Sequence, residues 1–233
     1  WMQGQTVHAG TAWHLGRLPF HGGISEDADR SGYGLTSRDL LLAHREVLSQ
    51  CGGREKGLRV VEIANKFPRV EAVLASIKEK YEYVGKTFSI VVPEKIEQII
   101  EEGQALKHCL DRSDRYFERI ANQESYIVFL RRTKAMEQPY YTLEIEPDGT
   151  TRQKRTVGDN QNNDYHRAEK FLKKWQGAIR PRLSQEDFER QEISRQLRMY
   201  ELESLRNDKV TVHGGIHAGE LLADILEADL MEA

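Results

Sequence analysis

Apolar and polar residues alternate or cluster in short runs through the middle of the chain, and this pattern predicts a small β-sheet. The run 88–92 is apolar and β-branched, as is typical of a strand. In 140–146 every second residue is apolar, which places Thr142 and Glu144 together on the opposite face. Asp148-Gly149 is typical of a hairpin turn. The predicted antiparallel strands are 87–92, 125–131, 140–146 and 150–157.

Apolar positions recur at helical spacing on both sides of this region. Pro68 is expected to interrupt one long pattern, and Gly103 is expected to end another. Ser184 and Asp187 form a variant of the capping box at the start of a third. The predicted helices cover 38–50, 56–83 with its interruption, 93–103, 114–123, 164–179, 184–207 and 220–231. The predicted fold class is α+β, a small antiparallel sheet flanked by helices, with helical N- and C-terminal extensions.

Composition along the chain divides it into four segments. The first 34 residues contain seven Gly and three His and are expected to be irregular. The sheet and its adjoining helices form the core, and a helical extension with an acidic tail follows it. The predicted boundaries are 1–34 for the irregular segment, 35–86 for a helical segment, 87–182 for the α+β core and 183–233 for the C-terminal extension.

Charge is unevenly distributed although the formal net charge is only −3. Residues 152–182 contain nine Lys or Arg against three acids, a local balance of +6. Residues 217–233 contain five acids and no Lys or Arg. A basic middle and an acidic tail indicate either a site for a polyanion or two segments that attract each other within the protein.

Several classes of protein do not fit the sequence. The two cysteines, Cys51 and Cys109, make no disulfide framework and no CxxC pair, so a reduced, cytoplasmic protein is expected. No apolar run reaches 18 residues and no signal-peptide pattern is visible, so no membrane span or export is expected. His213 and His217 have a metal-like spacing, but two glycines between them argue against a helix. No metal and no cofactor are predicted.

Ionisable residues at the edges of the predicted strands are the candidates for catalysis. His108 would act as acid or base, Arg131 and Arg155 would stabilise developing charge, and Glu144 would orient an arginine or act as a base. The alternative is structural, with Glu144 paired across the sheet to Arg131 or Arg155. His108 would then be a hydrogen-bonded histidine beside a buried Cys109.

The basic region supplies the candidates for contacts with nucleic-acid phosphates. Guanidinium and ammonium groups bind phosphate directly, and amide side chains in a turn before a helix can add contacts to an anion or a base edge. The alternatives are a solvated helix face and ordinary capping residues. The candidate residues are Arg152, Gln153, Lys154, Arg155, Asn160, Asn162, Lys170 and Lys174.

An ordered set of motifs between Pro93 and Trp175 resembles the PcfJ-like family of bacterial mobile elements and conjugative plasmids. The motifs are G-x-x-L-x-H-C at 103–109, S-Y-I-V-F-L-R-R at 125–132, P-Y-Y-T-L-E-I at 139–145, Q-x-R-T at 153–156 and F-L-K-K-W at 171–175. The positions that carry the resemblance are Gly103, Leu106, His108, Cys109, Tyr116, Arg131, Thr142, Glu144, Gln153, Arg155 and Asn162. The resemblance implies a mobile-element setting and does not imply a reaction.

Three functions are compatible with these features. The first is an accessory protein of a mobile element whose α+β module binds nucleic acid. The second is a protein-interaction module that docks a partner through the helical C-terminal extension. The third is a metal-independent nuclease or phosphoryl-transfer enzyme that uses His108. The arrangement that would favour a site is one cleft, beside the basic helix, that holds His108, Arg131, Glu144, Gln153 and Arg155.

Overall fold

The structure is a computed structural model, and it describes residue 53 and residues 55–159, 165–213 and 217–233, without the side chains of 159 and 165. The irregular segment predicted for 1–34 and the helix predicted for 38–50 lie outside the described residues. The four-segment division therefore stays a prediction.

A five-stranded antiparallel sheet lies at the centre of the fold, and the predicted α+β class is confirmed. The strands follow one another in the sheet in chain order, so each strand is hydrogen-bonded to the next one along the chain. They are β1 (Tyr83–Val84), β2 (Phe88–Val91), β3 (Tyr126–Arg132), β4 (Tyr141–Ile145) and β5 (Thr151–Arg155). The four predicted strands are β2 to β5; the two-residue β1 was not predicted.

Seven helices surround this sheet within the described residues. Pro68 does interrupt the first long pattern, since the backbone is helical at 55–66 (α1) and again from Val70. Ser184 caps the sixth helix, where its side chain accepts a hydrogen bond from the Asp187 amide, as predicted. The remaining helices are α2 (Val70–Tyr81), α3 (Ile96–Leu106), α4 (Asp114–Ala121), α5 (Tyr165–Ile179), α6 (Gln185–Asn207) and α7 (Leu222–Asp229).

The prediction that Gly103 ends its helix is wrong, because α3 continues through Gly103 to Leu106. The helix ends instead at Lys107, whose φ of 54° is left-handed. Gly103 is required for packing. A Cβ built there would lie 2.7 Å from the backbone nitrogen of Asp111, in the short 3₁₀ turn Cys109–Asp111 that folds back on α3.

The two faces of the sheet pack against different helices. Phe88 pairs with Arg132, and Glu144 pairs with Ile127. Ile127 and Arg132 are both in β3 and are five positions apart. Because side chains alternate between the two faces along a strand, these two pairs lie on opposite faces. The ring of Phe88 lies 5.7 Å from the ring of Phe171, which places α5 on the first face. Ion pairs described below connect α3 and α4 to the second face.

The C-terminal helices pack beside β5. Arg152 of β5 donates to the carbonyl oxygen of Ser194 in α6 at 2.8 Å. Met231, just after α7, exchanges two backbone hydrogen bonds of 2.9 Å with Thr151 and so pairs with the outer edge of β5. No helix among the described residues combines the length and apolar character needed to cross a bilayer.

Candidate functional site

One cleft of about 320 Å³ collects four of the five polar residues that were expected to converge. His108 enters it from the turn after α3, Glu144 from β4, and Gln153 and Arg155 from β5. These strand residues share a face because Glu144 pairs with Gln153 and Thr142 pairs with Arg155. The fifth residue, Arg131, does not line the cleft.

His108 is held at the base of the cleft by a chain of buried polar groups. Its backbone is extended, and its Nε2 lies 3.0 Å from Oγ1 of Thr142. The Thr142 hydroxyl donates to Oε1 of Glu102 at 3.4 Å, a long hydrogen bond that links the imidazole to this carboxylate. The predicted hydrogen-bonded histidine is confirmed, and acid or base activity of His108 stays a prediction.

Arg131 is the last member of this series of buried polar groups and forms a bidentate ion pair with Glu102. Its Nη1 donates to Oε1 at 2.8 Å and its Nη2 donates to Oε2 at 2.5 Å, and both side chains are buried. The expectation that Arg131 pairs with Glu144 is therefore wrong. Since a buried carboxylate without its cation is costly, Arg131 would have to leave Glu102 at a large energetic cost before it could contact a phosphate.

Glu144 is buried and saturated with donors. Oε1 accepts from Arg119 at 2.8 Å and from Ser125 at 2.6 Å, and Oε2 accepts from the Gln153 amide at 3.1 Å. Burial by itself would raise the pKa of this carboxyl, but Arg119 and Arg152 outweigh burial and lower it. Glu144 is thus an ionised anchor for Gln153, and its low pKa makes it a weak base.

Arg152 is buried, in contrast to its predicted contact with a phosphate. The register shifts between Glu144 and Ile145, so Arg152 is an additional residue opposite them in β5. Its Nε donates to Glu146 at 2.6 Å and its Nη1 donates to Glu124 at 2.9 Å. A phosphate would have to displace these carboxylates to reach Arg152.

Arg155 and Lys154, the other two cationic residues of β5 that were predicted to contact phosphate, are also engaged within the protein. Arg155 forms an ion pair with Asp229 at the end of α7, and its Nη1 donates to the Lys154 carbonyl oxygen at 2.9 Å. Glu144 is therefore not its partner, and the second predicted pairing is wrong. Lys154 is buried on the opposite face of the strand, where burial lowers the pKa of its ammonium group.

Cys109 and Tyr116 form a second part of the cleft wall. The interpretation of Cys109 as a buried residue is wrong, because its side chain is exposed and lies 3.6 Å from the Tyr116 hydroxyl. Burial, followed by the nearby carboxylate of Glu144, raises the pKa of Tyr116 well above its usual range. Tyr116 therefore keeps its proton at neutral pH and can donate a hydrogen bond.

The lysines predicted to contact phosphates on α5 form a separate, exposed surface. Lys170 and Lys174 are exposed, and so are Arg167 and Lys173. We call these four residues the α5 cationic stripe. At about 100° per residue they span about 120° of the helix surface, centred opposite the buried side of α5. That buried side consists of Ala168, Leu172, Trp175 and Ile179.

The α5 cationic stripe and the cleft lie on opposite sides of the sheet. Phe171 fixes α5 against the face of Phe88, whereas the cleft opens on the face of Glu144. The expectation of one hollow next to a basic helix is therefore wrong. Asn160 and Asn162 lie outside the described residues, so their contacts stay a prediction.

Two partners in these networks were not predicted from the sequence. Glu102 lies three residues after the buried Ile99 on α3, so the helical spacing places it on the same buried face. A carboxylate in such a position indicates that a cation lies beside it. Arg119 of α4 is buried in the same way and binds Glu144. Within the described part of the chain, no group of three or more His, Cys, Asp or Glu side chains is placed to hold a metal ion.

Comparison with known proteins gives one match. The family model described as PcfJ-like protein matches residues 52–169, just over half of the chain. This range contains the whole sheet, the His108 turn and the cleft residues of β4 and β5. No curated protein and no solved structure matches. The chain belongs to the PcfJ-like family.

Proposed function

We propose that this protein is an accessory protein of a bacterial mobile element and that it binds the phosphate backbone of nucleic acid in the cytoplasm. The observation that carries the proposal is the α5 cationic stripe. Family membership supports the mobile-element setting. Of the phosphate contacts expected from the sequence, the proposal keeps Lys170 and Lys174 and adds Arg167 and Lys173.

The stripe is suited to phosphates because its charges are exposed and uncommitted. Among the described residues, no carboxylate lies within ion-pair distance of Arg167, Lys170, Lys173 or Lys174, whereas the cations of β5 are buried or paired. When exposed cations of a protein neutralise phosphates, counterions condensed on the nucleic acid are released, and this release drives association. Contacts to phosphates carry no sequence information, so binding through the stripe should depend weakly on sequence.

The experiment is a titration of a fluorescent oligonucleotide at several salt concentrations. With four phosphates neutralised, affinity should fall about 50-fold for a single strand and about 150-fold for a duplex between 50 and 200 mM salt. In a Lys170→Glu/Lys174→Glu double variant the salt dependence should fall by at least half. The matched control is Lys107→Glu/Lys134→Glu, since these lysines are exposed and have no carboxylate within ion-pair distance among the described residues. Binding that is independent of salt, or equal in the two double variants, contradicts the proposal.

Docking of a protein partner on α6 is a second candidate function. Ile193, Leu197 and Tyr200 are 60%, 45% and 74% exposed and recur at i, i+4 and i+7 along α6. An apolar stripe at this spacing is typical of a helix that packs against another protein. A photo-crosslinking residue at 197 should capture a specific protein in cells, and the same residue at Glu192, which is exposed and lies about 100° around the helix from Ile193, should capture less. Equal capture at the two positions would rule out docking on this stripe.

A further inference from the structure

We propose that the cleft beside His108 binds a planar, uncharged heterocycle of nucleobase size, presented as a nucleoside or as a base of a strand. This inference concerns the opposite side of the sheet from the α5 cationic stripe, and it does not rest on phosphate binding by that stripe. It follows from the charge balance of the cleft, its unused hydrogen-bonding groups, and the shape of its walls.

The charges around the cleft favour an uncharged ligand. Its lining contains two arginines, Arg115 and Arg155, and two carboxylates, Glu144 and Glu201. Arg115 and Glu201 form an ion pair with each other, and Arg155 is paired with Asp229. A phosphate or a carboxylate would find no excess positive charge here, and its desolvation would not be repaid. An uncharged polar ring avoids that cost.

Two β5 side chains offer complementary groups for the edge of such a ring. Glu144 is ionised and can only accept, so the Gln153 amide nitrogen faces Glu144, and no donor among the described residues occupies the Gln153 Oε1, which can accept a further hydrogen bond. Arg155 uses its Nη1, while its Nε and Nη2 have no acceptor among the described residues. The two side chains are two positions apart on one strand, so they leave the same face from backbone positions about 7 Å apart. Together they offer a donor and an acceptor, the combination that the mixed edge of a base needs.

The walls of the cleft suit a flat and largely apolar body. The lining includes the aromatic ring of Tyr116 from α4. Helix α7 contributes the apolar side chains of Leu222, Ile225 and Leu226. Bases stack on tyrosine rings, and stacking is favourable for every base. The volume of about 320 Å³ lies at the lower end of the range for small-molecule sites, which fits a nucleoside and excludes much larger ligands.

The first test is calorimetric titration of the protein with adenosine, guanosine, cytidine and uridine. Saturable binding of at least one of them is expected. Tyr116→Leu and Gln153→Leu should each weaken that binding about tenfold or more, because they remove the stacking ring and the acceptor. Tyr200→Leu is the matched control, since this tyrosine is 74% exposed on α6 and lies outside the cleft. No saturable binding to any of the four nucleosides, or binding unchanged in both cleft variants, overturns the proposal.

The second test needs no substitution and so does not depend on how the variants fold. Cys109 is exposed and lines the cleft, so a bound nucleoside should slow its alkylation by iodoacetamide. Peptide mass spectrometry separates Cys109 from Cys51, whose reactivity serves as the internal reference. Protection of Cys109 relative to Cys51 supports the proposal. Equal alkylation of Cys109 with and without a saturating nucleoside overturns it.

Two further arms separate this site from the α5 cationic stripe and identify the source of the base. The Lys170→Glu/Lys174→Glu variant should bind nucleosides as the unchanged protein does, even where it no longer binds an oligonucleotide. Loss of nucleoside binding in this variant contradicts an independent cleft site. The last arm compares the protection of Cys109 by a single strand with its protection by an abasic strand of the same length. Stronger protection by the strand that carries bases assigns the ligand to a base of a strand. If the two strands protect Cys109 equally, the ligand is a free nucleoside.

Discussion

Replacing Gly103 by alanine tests whether the close contact between α3 and the turn after it is part of the stability of the fold. Helix propensity and packing predict opposite effects at this position. Gly103 lies inside α3, where alanine is favoured over glycine by about 1 kcal/mol. The added methyl group, however, would lie 2.7 Å from the backbone nitrogen of Asp111 and 3.2 Å from its Cβ.

The packing cost should exceed the propensity gain. Overpacking a tight contact costs about 1–3 kcal/mol, and the upper end applies here because a backbone atom cannot rotate away as a side chain can. Subtracting the helical gain leaves an expected loss of about 2 kcal/mol in the free energy of unfolding. The same displacement would move the neighbouring His108 turn and lengthen its bond to Thr142.

Gly177 in α5 is the matched control. It also lies in a helix, but a Cβ built there meets no atom within 4 Å, so Gly177→Ala should stabilise the protein by about 0.5–1 kcal/mol. Urea unfolding followed by circular dichroism gives the free energy of unfolding of each variant, provided that the m-values agree. If Gly103→Ala is as stable as the unchanged protein, or more stable, the packing argument is refuted.

Three other substitutions test the buried ion pairs. Glu144→Gln should lower the free energy of unfolding at neutral pH by about 1–3 kcal/mol, because Arg119 and Arg152 each lose one of their carboxylates and keep the others. Since the folded pKa of Glu144 is lowered, the stability that this carboxylate contributes is complete above its unfolded pKa near 4.5 and is lost as the pH falls through the folded pKa. The urea midpoint should therefore fall less steeply with decreasing pH in the variant than in the unchanged protein. Equal pH slopes of the two midpoints would exclude this contribution of Glu144. Arg131→Lys should lower the melting temperature, with a loss of about 1–3 kcal/mol, because lysine cannot match both oxygens of Glu102, and an unchanged melting temperature would contradict a two-pronged pair. Arg155→Met should accelerate amide hydrogen exchange in α7, and unchanged exchange there would show that the pair with Asp229 does not hold this helix.

Local patterns predicted the elements of the core because alternation and helical spacing are properties of short segments. The alternation in β4 predicted which of its side chains share a face, and Glu144 with Gln153 and Arg155 does line one cleft. The two-residue β1 was missed because two residues carry no readable period. The sequence predicts a helix stop at Gly103 because the turn that packs on this glycine cannot be inferred from the helix alone.

The ion pairs could not be predicted because they depend on how helices dock on the sheet. The sequence offered Arg131 and Arg155 as partners for Glu144, but α4 brings Arg119 to it, and α3 brings Glu102 to Arg131. The prediction that the basic helix lies next to the cleft is wrong for the same reason. Nothing in the α5 pattern states which side of the sheet its apolar residues will cover.

The backbone pairing between Met231 and Thr151 affects how this protein behaves at high concentration. Unpaired strand margins template the growth of intermolecular sheets, and both margins of this sheet are poor templates. Met231 already occupies hydrogen-bonding groups at the margin formed by β5, and the margin formed by β1 offers only two residues. A foreign strand would have to displace Met231 before it could pair along the whole of β5, which disfavours edge-driven fibril growth from the native state.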